Sequence, residues 1–319
     1  MTEALATVSL IGVYSAMAVY ALAFVLFTID LSRRGAAATV AKDRSEATAT
    51  ARLNESSVAV LERTETAAAP RSPRYLRAAM ALTVVAWIVH VAATTLRGIA
   101  AERVPWANMF EFTLTATAII VGVFLAVQFW QDLKYLGAFI TGLATISLGV
   151  ATISFYVDVV PLQPALQSVW LVIHVFVATL GTGFFALGAA LSILQLLRGR
   201  RDRGGLARAR FLDTVPVADR LENLAYRLNI IGFVFWTFTL IAGAIWAERA
   251  WGRYWGWDTK EVWTFVIWVL FAGYIHARAT RGWRGDRAAW LAIVGFAAVV
   301  FNFTIVNLFF KGLHSYSGL

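Results

Sequence analysis

The sequence predicts an all-α protein: a polytopic membrane helical bundle of about eight transmembrane helices, with both termini on the external side. Three observations lead to this fold class. Hydrophobic residues make up 59% of the 319 residues and charged residues only 15%, whereas about a quarter of the residues in a soluble domain are charged. Apolar stretches of about 20 residues, the length of helix that crosses a bilayer, recur along the chain. Lys and Arg are concentrated between alternate stretches.

The apolar stretches are predicted to be membrane-spanning helices, since each covers about 30 Å at about 1.5 Å per residue. The first is interpreted as a retained helix and not a signal peptide, because no basic residue precedes it, while Arg33 and Arg34 follow it. The eight spans are predicted near residues 8–29, 78–96, 109–130, 135–156, 169–197, 228–247, 260–279 and 288–310.

The distribution of basic residues predicts the orientation. Segments 30–77, 131–134, 198–227 and 278–287 together carry 22 of the 28 Lys and Arg residues. An excess of Lys and Arg marks cytoplasmic loops, so these four segments are expected inside the cell and the N-terminus outside it. The net charge of +9 is therefore explained by topology, and no nucleic-acid partner is expected.

Composition divides the chain into three parts. Residues 1–30 form the first transmembrane helix, and residues 78–319 form the main membrane domain. Between them, residues 31–77 are rich in Ala, Thr, Glu and Arg and have few large apolar side chains, so they cannot bury enough surface to fold alone. We expect them to be a basic, polar cytoplasmic linker, disordered or loosely helical.

The chain contains no cysteine. It therefore cannot form a disulfide, hold an iron–sulfur cluster, build a Cys-containing zinc or blue-copper site, or supply a thiol nucleophile. Any sulfur chemistry at this protein must come from a partner.

The four histidines lie inside or just beyond apolar spans: His90, His174, His276 and His314. An ionisable residue at membrane depth suggests a functional site, although each histidine is also explained as a helix-packing residue. In the predicted topology His174 and His314 lie near the external face and are placed to share one ligand. His90 and His276 form a second candidate pair, and two imidazoles on one iron make a bis-histidine haem site. Their predicted depths, about 9 and 20 Å below the outer helix ends, weaken this second pair.

Tryptophan is concentrated around one external loop, where six of the thirteen tryptophans fall within 23 residues. Trp251, Trp255 and Trp257 occur in a run too short to span a membrane, and Gly252 and Gly256 leave the backbone room to turn. The loop is interpreted either as a shelf for a planar ligand or as an aromatic belt at the membrane interface. The residues after it, Asp258 and Glu261, are also explained as a capping box at the start of a helix.

The loop between the second and third spans carries Arg97 and Arg103. Arginine pairs with carboxylates in a bidentate manner, so Arg97, two turns from His90, is a candidate partner for a haem propionate. The alternative is an arginine that extends to the membrane interface. Glu111 needs no role beyond stabilising the N-terminus of its helix.

Two sequence elements resemble a known family. The segment WGRYWGWDTKEVW, residues 251–263, resembles the tryptophan-rich WWD signature of haem-handling membrane proteins. In its closer details it is similar to the membrane subunit of the system II cytochrome c synthase, the CcsA or ResC type, which is called CcsB in some bacteria. A second matching element consists of His90, Arg97, Pro105, Asn108 and Glu111. The resemblance covers about residues 78–319, which are thereby identified as a WWD-type haem-handling domain.

The resemblance implies a function in which protohaem, haem b, moves outward through the membrane. Haem from the cytoplasmic side is expected between His90 and His276, and then at an external site between His174 and His314. The loop with Trp251, Trp255, Trp257 and Asp258 is expected to present haem for thioether attachment to the CxxCH segment of an apocytochrome c.

The same resemblance implies an enzyme, a holocytochrome c synthase or haem lyase subunit that is active only as part of a complex. The expected partners are a ResB-type (CcsB-type) membrane subunit and a thiol-reducing system that feeds the apocytochrome. The expected location is the bacterial plasma membrane. Three alternatives remain: a system I haem-delivery subunit of the same superfamily, a cytochrome b-like electron carrier, and a purely structural helical scaffold.

Overall fold

The computed structural model describes residues 2–54, 74–159, 166–280, 282–310 and 312–314. All regular secondary structure in these ranges is helical, which confirms the predicted all-α class. Two short 3₁₀ helices, Lys134–Leu136 and Arg210–Thr214, precede α4 and α6. The α-helices are α1 (Thr2–Asn54), α2 (Arg74–Ala101), α3 (Met109–Val127), α4 (Gly137–Ser154), α5 (Val169–Asp202), α6 (Ala218–Trp251), α7 (Thr259–Ala279), α8 (Asp286–Phe303) and α9 (Ile305–Phe309).

Eight segments in the described part of the chain are long and apolar enough to cross a membrane, as predicted. They correspond to α1 through α7 and to α8 with α9, so the protein is a multi-pass membrane protein. The helices α5 and α6 are 34 residues long and continue beyond the predicted spans. The helix α1 also continues past its apolar part to Asn54, so the first half of the predicted linker is helical. Residues 55–73 of that linker lie outside the described residues.

Local sequence explains where several helices begin and end. At the start of α3 the Asn108 side chain accepts a hydrogen bond from the Glu111 backbone N–H, and Ser168 caps α5 in the same way through Trp170. The helix α6 ends at Trp251 and is capped by Gly252, whose φ of 69° is a left-handed conformation that glycine adopts without strain. The predicted capping box of Asp258 and Glu261 at the start of α7 is confirmed.

The first helix packs into the same core as the rest of the bundle. Its most extensive contacts are with α2, and it also packs against α4. Ser9 donates a hydrogen bond to the backbone carbonyl of Ala93, and the Tyr20 side chain is fully buried beside His90. Although the family resemblance begins after α1, this helix therefore forms one wall of the bundle around His90.

Close helix pairs bring the ends of the later helices together. The pair α5 and α6 packs tightly through Gly181 and Gly232, since a Cβ on Gly181 would lie 3.3 Å from the Gly232 carbonyl oxygen. Small residues of this kind allow membrane helices to approach closely. The helix α8 packs against both α5 and α7. As a result the start of α5, the end of α6 and the start of α7 meet, with α9, at one end of the bundle.

Candidate functional site

His174 projects from the first turns of α5 towards α6. Its Nδ1 donates a hydrogen bond of 2.9 Å to the backbone carbonyl of Thr239, which can only accept. The ring stacks on Trp246, with centroids 5.8 Å apart. A Cβ on Gly243 would lie 2.7 Å from the imidazole, so the absence of a side chain there leaves room for the ring. With Nδ1 protonated, Nε2 of the neutral ring keeps the lone pair that a metal needs.

His314 follows α9 and meets the tryptophan loop. Its Nδ1 donates a hydrogen bond of 2.8 Å to Oδ2 of Asp258, and its ring makes edge contacts with Trp246 and Trp251 at centroid distances of 5.4 and 4.9 Å. The other carboxylate oxygen of Asp258 accepts from the Leu313 backbone N–H at 3.1 Å. The side chain that caps α7 therefore also fixes the orientation of His314, again leaving Nε2 as the unprotonated nitrogen.

The pKa values of the Asp258–His314 pair keep the acid ionised and the imidazole neutral. The hydrogen bond from His314 lowers the pKa of Asp258 below its usual 3.8, and the bonds from Leu313 and Lys260 act in the same direction. Burial lowers the pKa of His314 below its usual 6.5, against the opposing effect of Asp258. At neutral pH the ring is thus in the form that can bind a metal.

His174 and His314 share one aromatic cavity. Both rings contact Trp246, and both line the cavity together with Trp255 and Lys260. The space is about 60 Å³ in this cavity and about 100 Å³ in an adjoining one that both histidines also line, so a flat ligand of porphyrin size requires the surrounding side chains to move apart. The structure therefore brings together the two histidines that were predicted to lie near the external face.

The three predicted loop tryptophans have different surroundings. Trp251 contacts His314, and Trp255 lines the histidine cavity. Trp257 is 77% exposed and makes an edge contact with Trp255, at a centroid distance of 5.8 Å. Its φ of 58° is uncommon for a bulky residue, a kind of local strain that often accompanies function. The loop thus lies against the histidine site on one side and offers an exposed aromatic ring on the other.

His90 and His276 lie in different surroundings. His90 is fully buried, with the Tyr20 hydroxyl 3.5 Å from Nδ1, and its Nε2 has no well-formed hydrogen bond, although the Leu114 carbonyl of α3 is nearby. The His276 side chain is exposed, three residues before the end of α7. Counted along α2 and α7 from the site end of the bundle, their depths differ by about 9 Å, so the offset expected from the sequence persists. Their pairing stays a prediction.

Arg97, the candidate propionate partner, is already engaged in a buried ion cluster. Its Nε lies 3.1 Å from Glu111 Oε1, and its guanidinium also donates to the Val157 carbonyl at 2.8 Å. Arg103 pairs with the other oxygen of the same carboxylate at 2.5 Å. Sequence reasoning gave Glu111 only a helix-end role, but the structure makes it the centre of this cluster. A propionate role for Arg97 stays a prediction.

Two residues of the site were not singled out from the sequence. Trp246 contacts both histidines, and its only signal was membership of the tryptophan-rich region. Lys260 lines two cavities that His314 also lines. In the sequence, the only feature that could have indicated Lys260 was its position within the segment 251–263 that resembles the family. Neither spacing nor periodicity could show that these two side chains turn towards the histidines, because that depends on how α6 and α7 pack.

The donor set fits haem iron. Two imidazoles have Nδ1 bonded to fixed oxygens, which is the arrangement that orients metal-binding histidines. In the described ranges no group of three His, Cys, Asp or Glu side chains is placed to hold a bare metal ion. A pair of nitrogen ligands suits an iron that brings its own equatorial ligands in a macrocycle. The surrounding tryptophans provide apolar walls for such a ring.

Fold and site together define a multi-pass helical membrane protein with a paired-histidine, tryptophan-lined site at one end of the bundle. Comparison with known proteins agrees with this class. Residues 77–314 match the family described as cytochrome C assembly protein. The cytochrome c biogenesis protein CcsA of Guillardia theta is 34% identical over 254 residues, covering 74% of this chain and 84% of the relative. That of Gloeobacter violaceus is 34% identical over 276 residues, covering 70% and 82%.

The chain therefore belongs to the cytochrome c assembly protein family, and it is a CcsA-type protein of cytochrome c biogenesis. Among solved structures, the cytochrome c heme lyase CcmF has the same fold, with a TM-score of 0.62 at 16% identity. That likeness covers 94% of this chain but only 46% of CcmF, so this chain spans less than half the length of the lyase.

Proposed function

We propose that this protein is a haem lyase subunit that holds haem b between His174 and His314 and presents it to an apocytochrome c. The observation that carries the proposal is the pair of imidazoles around Trp246, each with Nδ1 fixed by an oxygen acceptor. The similarity of this chain to CcsA proteins of cytochrome c biogenesis supports the same function. The iron would be ligated by the two Nε2 atoms, on the side of the bundle that the basic loops predict to be external.

The chain's own residues would act by positioning, because it has no cysteine to serve as a nucleophile. Each thioether would form by addition of a substrate thiol across a haem vinyl group: one C–S and one C–H bond form, and the S–H bond and the π bond of the vinyl C=C are lost. The addition needs no external oxidant or reductant. His174 and His314 would fix the plane of the macrocycle, and Trp251 and Trp255 would exclude water beside it.

The route of haem is also part of the proposal. His90, buried with an unsatisfied Nε2, and His276, exposed at the opposite end of α7, would act before the external pair. A buried imidazole nitrogen without a well-formed hydrogen bond is costly, and a metal ligand would satisfy it. The substrate with its CxxCH segment, the ResB-type partner and the bacterial plasma membrane are carried over from the family resemblance and complete the proposal.

The experiment uses the full chain, purified in detergent with its ResB-type partner, and His174→Gly and His314→Gly variants. We expect a bis-imidazole absorption spectrum that is lost in each variant and returns when imidazole is added, because free imidazole can occupy the vacated position. Thioether formation on a CxxCH peptide should follow the same pattern. Haem content and spectra unchanged in both variants would overturn the assignment. A normal spectrum without any thioether product would favour an electron carrier.

The aromatic shelf is tested separately from the ligands. Trp257→Leu should leave haem content unchanged and lower the yield of thioether product several-fold, since this exposed ring is placed to meet the substrate and does not line the histidine cavity. Trp290→Leu is the matched control, because Trp290 is also exposed but lies on α8. Equal yields from the two variants would favour an interfacial belt.

A further inference from the structure

The cavities around the two site histidines contain a basic side chain that the proposed ligation does not use. Lys260, the second residue of α7, lines both cavities that His174 and His314 line, one of which also contacts Trp106. Its Nζ bonds to Oδ1 of Asn307 and lies 5.5 Å from the centre of the Phe303 ring. The lysine is therefore turned into the site and held there by α8 and α9.

The amine of Lys260 has no counter-ion at contact distance. Among the described residues no carboxylate lies within the 4.0 Å of an ion pair with Lys260. Of the nearby acids, Asp258 binds His314, and Glu261 accepts from the backbone of Gly256 and Asp258 through Oε2, while its Oε1 is buried without a hydrogen-bond partner. A neutral amide and a ring face only partly replace hydration, and a cation in the first turn of a helix also opposes the helix dipole. An anionic ligand would offset both costs.

A second donor belongs to a residue that lines the same space. Asn108 is 5% exposed and lines the cavity with Lys260, His174 and His314. Its Oδ1 is fixed by the cap of α3, where it accepts from the Glu111 N–H, so the other atom of the amide is Nδ2. That Nδ2 is buried without a hydrogen-bond partner. A buried unsatisfied donor and an unpaired lysine amine on the lining of one cavity are groups that can receive a carboxylate, with the lysine protonated.

We propose that Lys260 Nζ, with Asn108 Nδ2, binds a propionate carboxylate of the haem held by His174 and His314. This inference rests on the proposed function and assigns to Lys260 the role that the sequence suggested for Arg97. The arginine is less suited to it, because Arg97 is already bonded to Glu111 and to the Val157 carbonyl and lines neither cavity around the two histidines. The site thus recognises a planar metal macrocycle with a carboxylate on the edge that faces α7.

The test compares two ligands that differ only in the carboxylates: haem and its dimethyl ester. Binding of each to the full chain is measured by optical titration in detergent, for the wild type, Lys260→Met and Lys260→Arg. We expect the wild type to prefer haem by about tenfold or more, as for one charged hydrogen bond. Lys260→Met should lose that preference by binding haem more weakly and the ester equally well, and Lys260→Arg should retain most of it.

The controls separate this inference from a structural effect and from the proposed function. Lys134→Met, at the other end of the bundle and paired with Asp132, should leave both affinities unchanged. Asn108→Asp keeps the cap of α3 but replaces the free donor with an anion, so it should weaken haem binding more than ester binding even if Lys260→Met does not fold. The carboxylate site would be overturned if Lys260→Met lowered the affinity for haem and for the ester equally. It would also be overturned if the wild type bound the two ligands with the same affinity. If His174→Gly binds both ligands normally, the proposed function itself fails.

Discussion

Asp258 connects two parts of the molecule through one carboxylate. One oxygen receives Lys260 N–H at the start of α7 and also the imidazole N–H of His314, while the other receives Leu313 N–H. His174 has a different partner, the neutral carbonyl of Thr239. A carboxylate acceptor raises the basicity of a metal-binding imidazole more than a carbonyl does. The two proposed iron ligands are therefore chemically unequal.

This inequality predicts the effect of Asp258→Asn. Asparagine is as good an N-cap as aspartate, so the apparent melting temperature should change little. The imidazole of His314 loses its anionic acceptor, so the reduction potential of the bound haem should rise and haem should dissociate more readily, by about 10- to 100-fold in affinity. Spectroelectrochemical titration and haem transfer to apomyoglobin measure the two effects. An unchanged reduction potential in Asp258→Asn would mean that Asp258 acts only as the N-cap of α7 and does not tune the haem ligand.

Glu111 is the second residue at which one carboxylate has several partners. It receives Arg97, Arg103 and the Ala107 backbone N–H, and its side chain is fully buried. Glu111→Gln leaves two arginines with one neutral partner, so we expect a loss of roughly 3–5 kcal/mol, the cost of breaking a buried ion pair. The measurement is the loss of soluble protein on heating in detergent. Glu102→Gln, on an exposed side chain in the same loop, should have no effect.

At the scale of helices, the site depends on how closely α5 and α6 approach. The imidazole of His174 occupies the space that a side chain on Gly243 would need. Its acceptor, Thr239, lies one turn earlier on the same helix. The position of the imidazole is therefore set by the facing surface of α6 and not by α5 alone.

Gly243→Ala tests this dependence. The added Cβ would lie 2.7 Å from Cε1 of His174, so the ring must move and its bond to Thr239 must lengthen. We expect normal abundance in the membrane but a several-fold lower haem content by pyridine haemochrome assay. Gly273→Ala on α7 is the matched control, since nothing lies within 4 Å of its new Cβ. Similar haem content in both variants would show that the contact is unimportant.

At the scale of the whole molecule, the site is at the end of the bundle opposite the most basic loops. The end of α6 and the start of α7 meet at the site, while the loop between α5 and α6 lies at the other end and carries several arginines. Positive charge favours the cytoplasmic side, so this polarity predicts an external site.

The absence of cysteine makes the orientation directly measurable. Tyr254→Cys in the tryptophan loop and Leu206→Cys in the α5–α6 loop each introduce the sole thiol, at positions whose side chains are exposed. We expect a membrane-impermeant maleimide to label Tyr254→Cys in intact cells and Leu206→Cys only after the membrane is opened. The reverse pattern would invert the topology and place the site inside the cell.

Much of the fold was predictable, because membrane spans are encoded locally by length and hydropathy. Eight spans and the capping box at Asp258 follow from runs of adjacent residues, and the structure confirms both. The helical continuation of α1 to Asn54 was less clear, since polar, Ala-rich sequence is compatible with either a helix or a disordered segment. The partners of Glu111 and Lys260 could not be predicted, since they come from other segments.

The sequence by itself determined that this chain is a cysteine-free, multi-pass helical protein with four histidines at its spans and an unusual tryptophan loop, and it identified the family. These are properties of composition, spacing and motif. Only the tertiary structure decided that His174 and His314 meet at Trp246, that Glu111 engages Arg97, and that Lys260 turns inwards. The physical reason is that such contacts depend on crossing positions of helices far apart in the chain, and no local pattern specifies those positions.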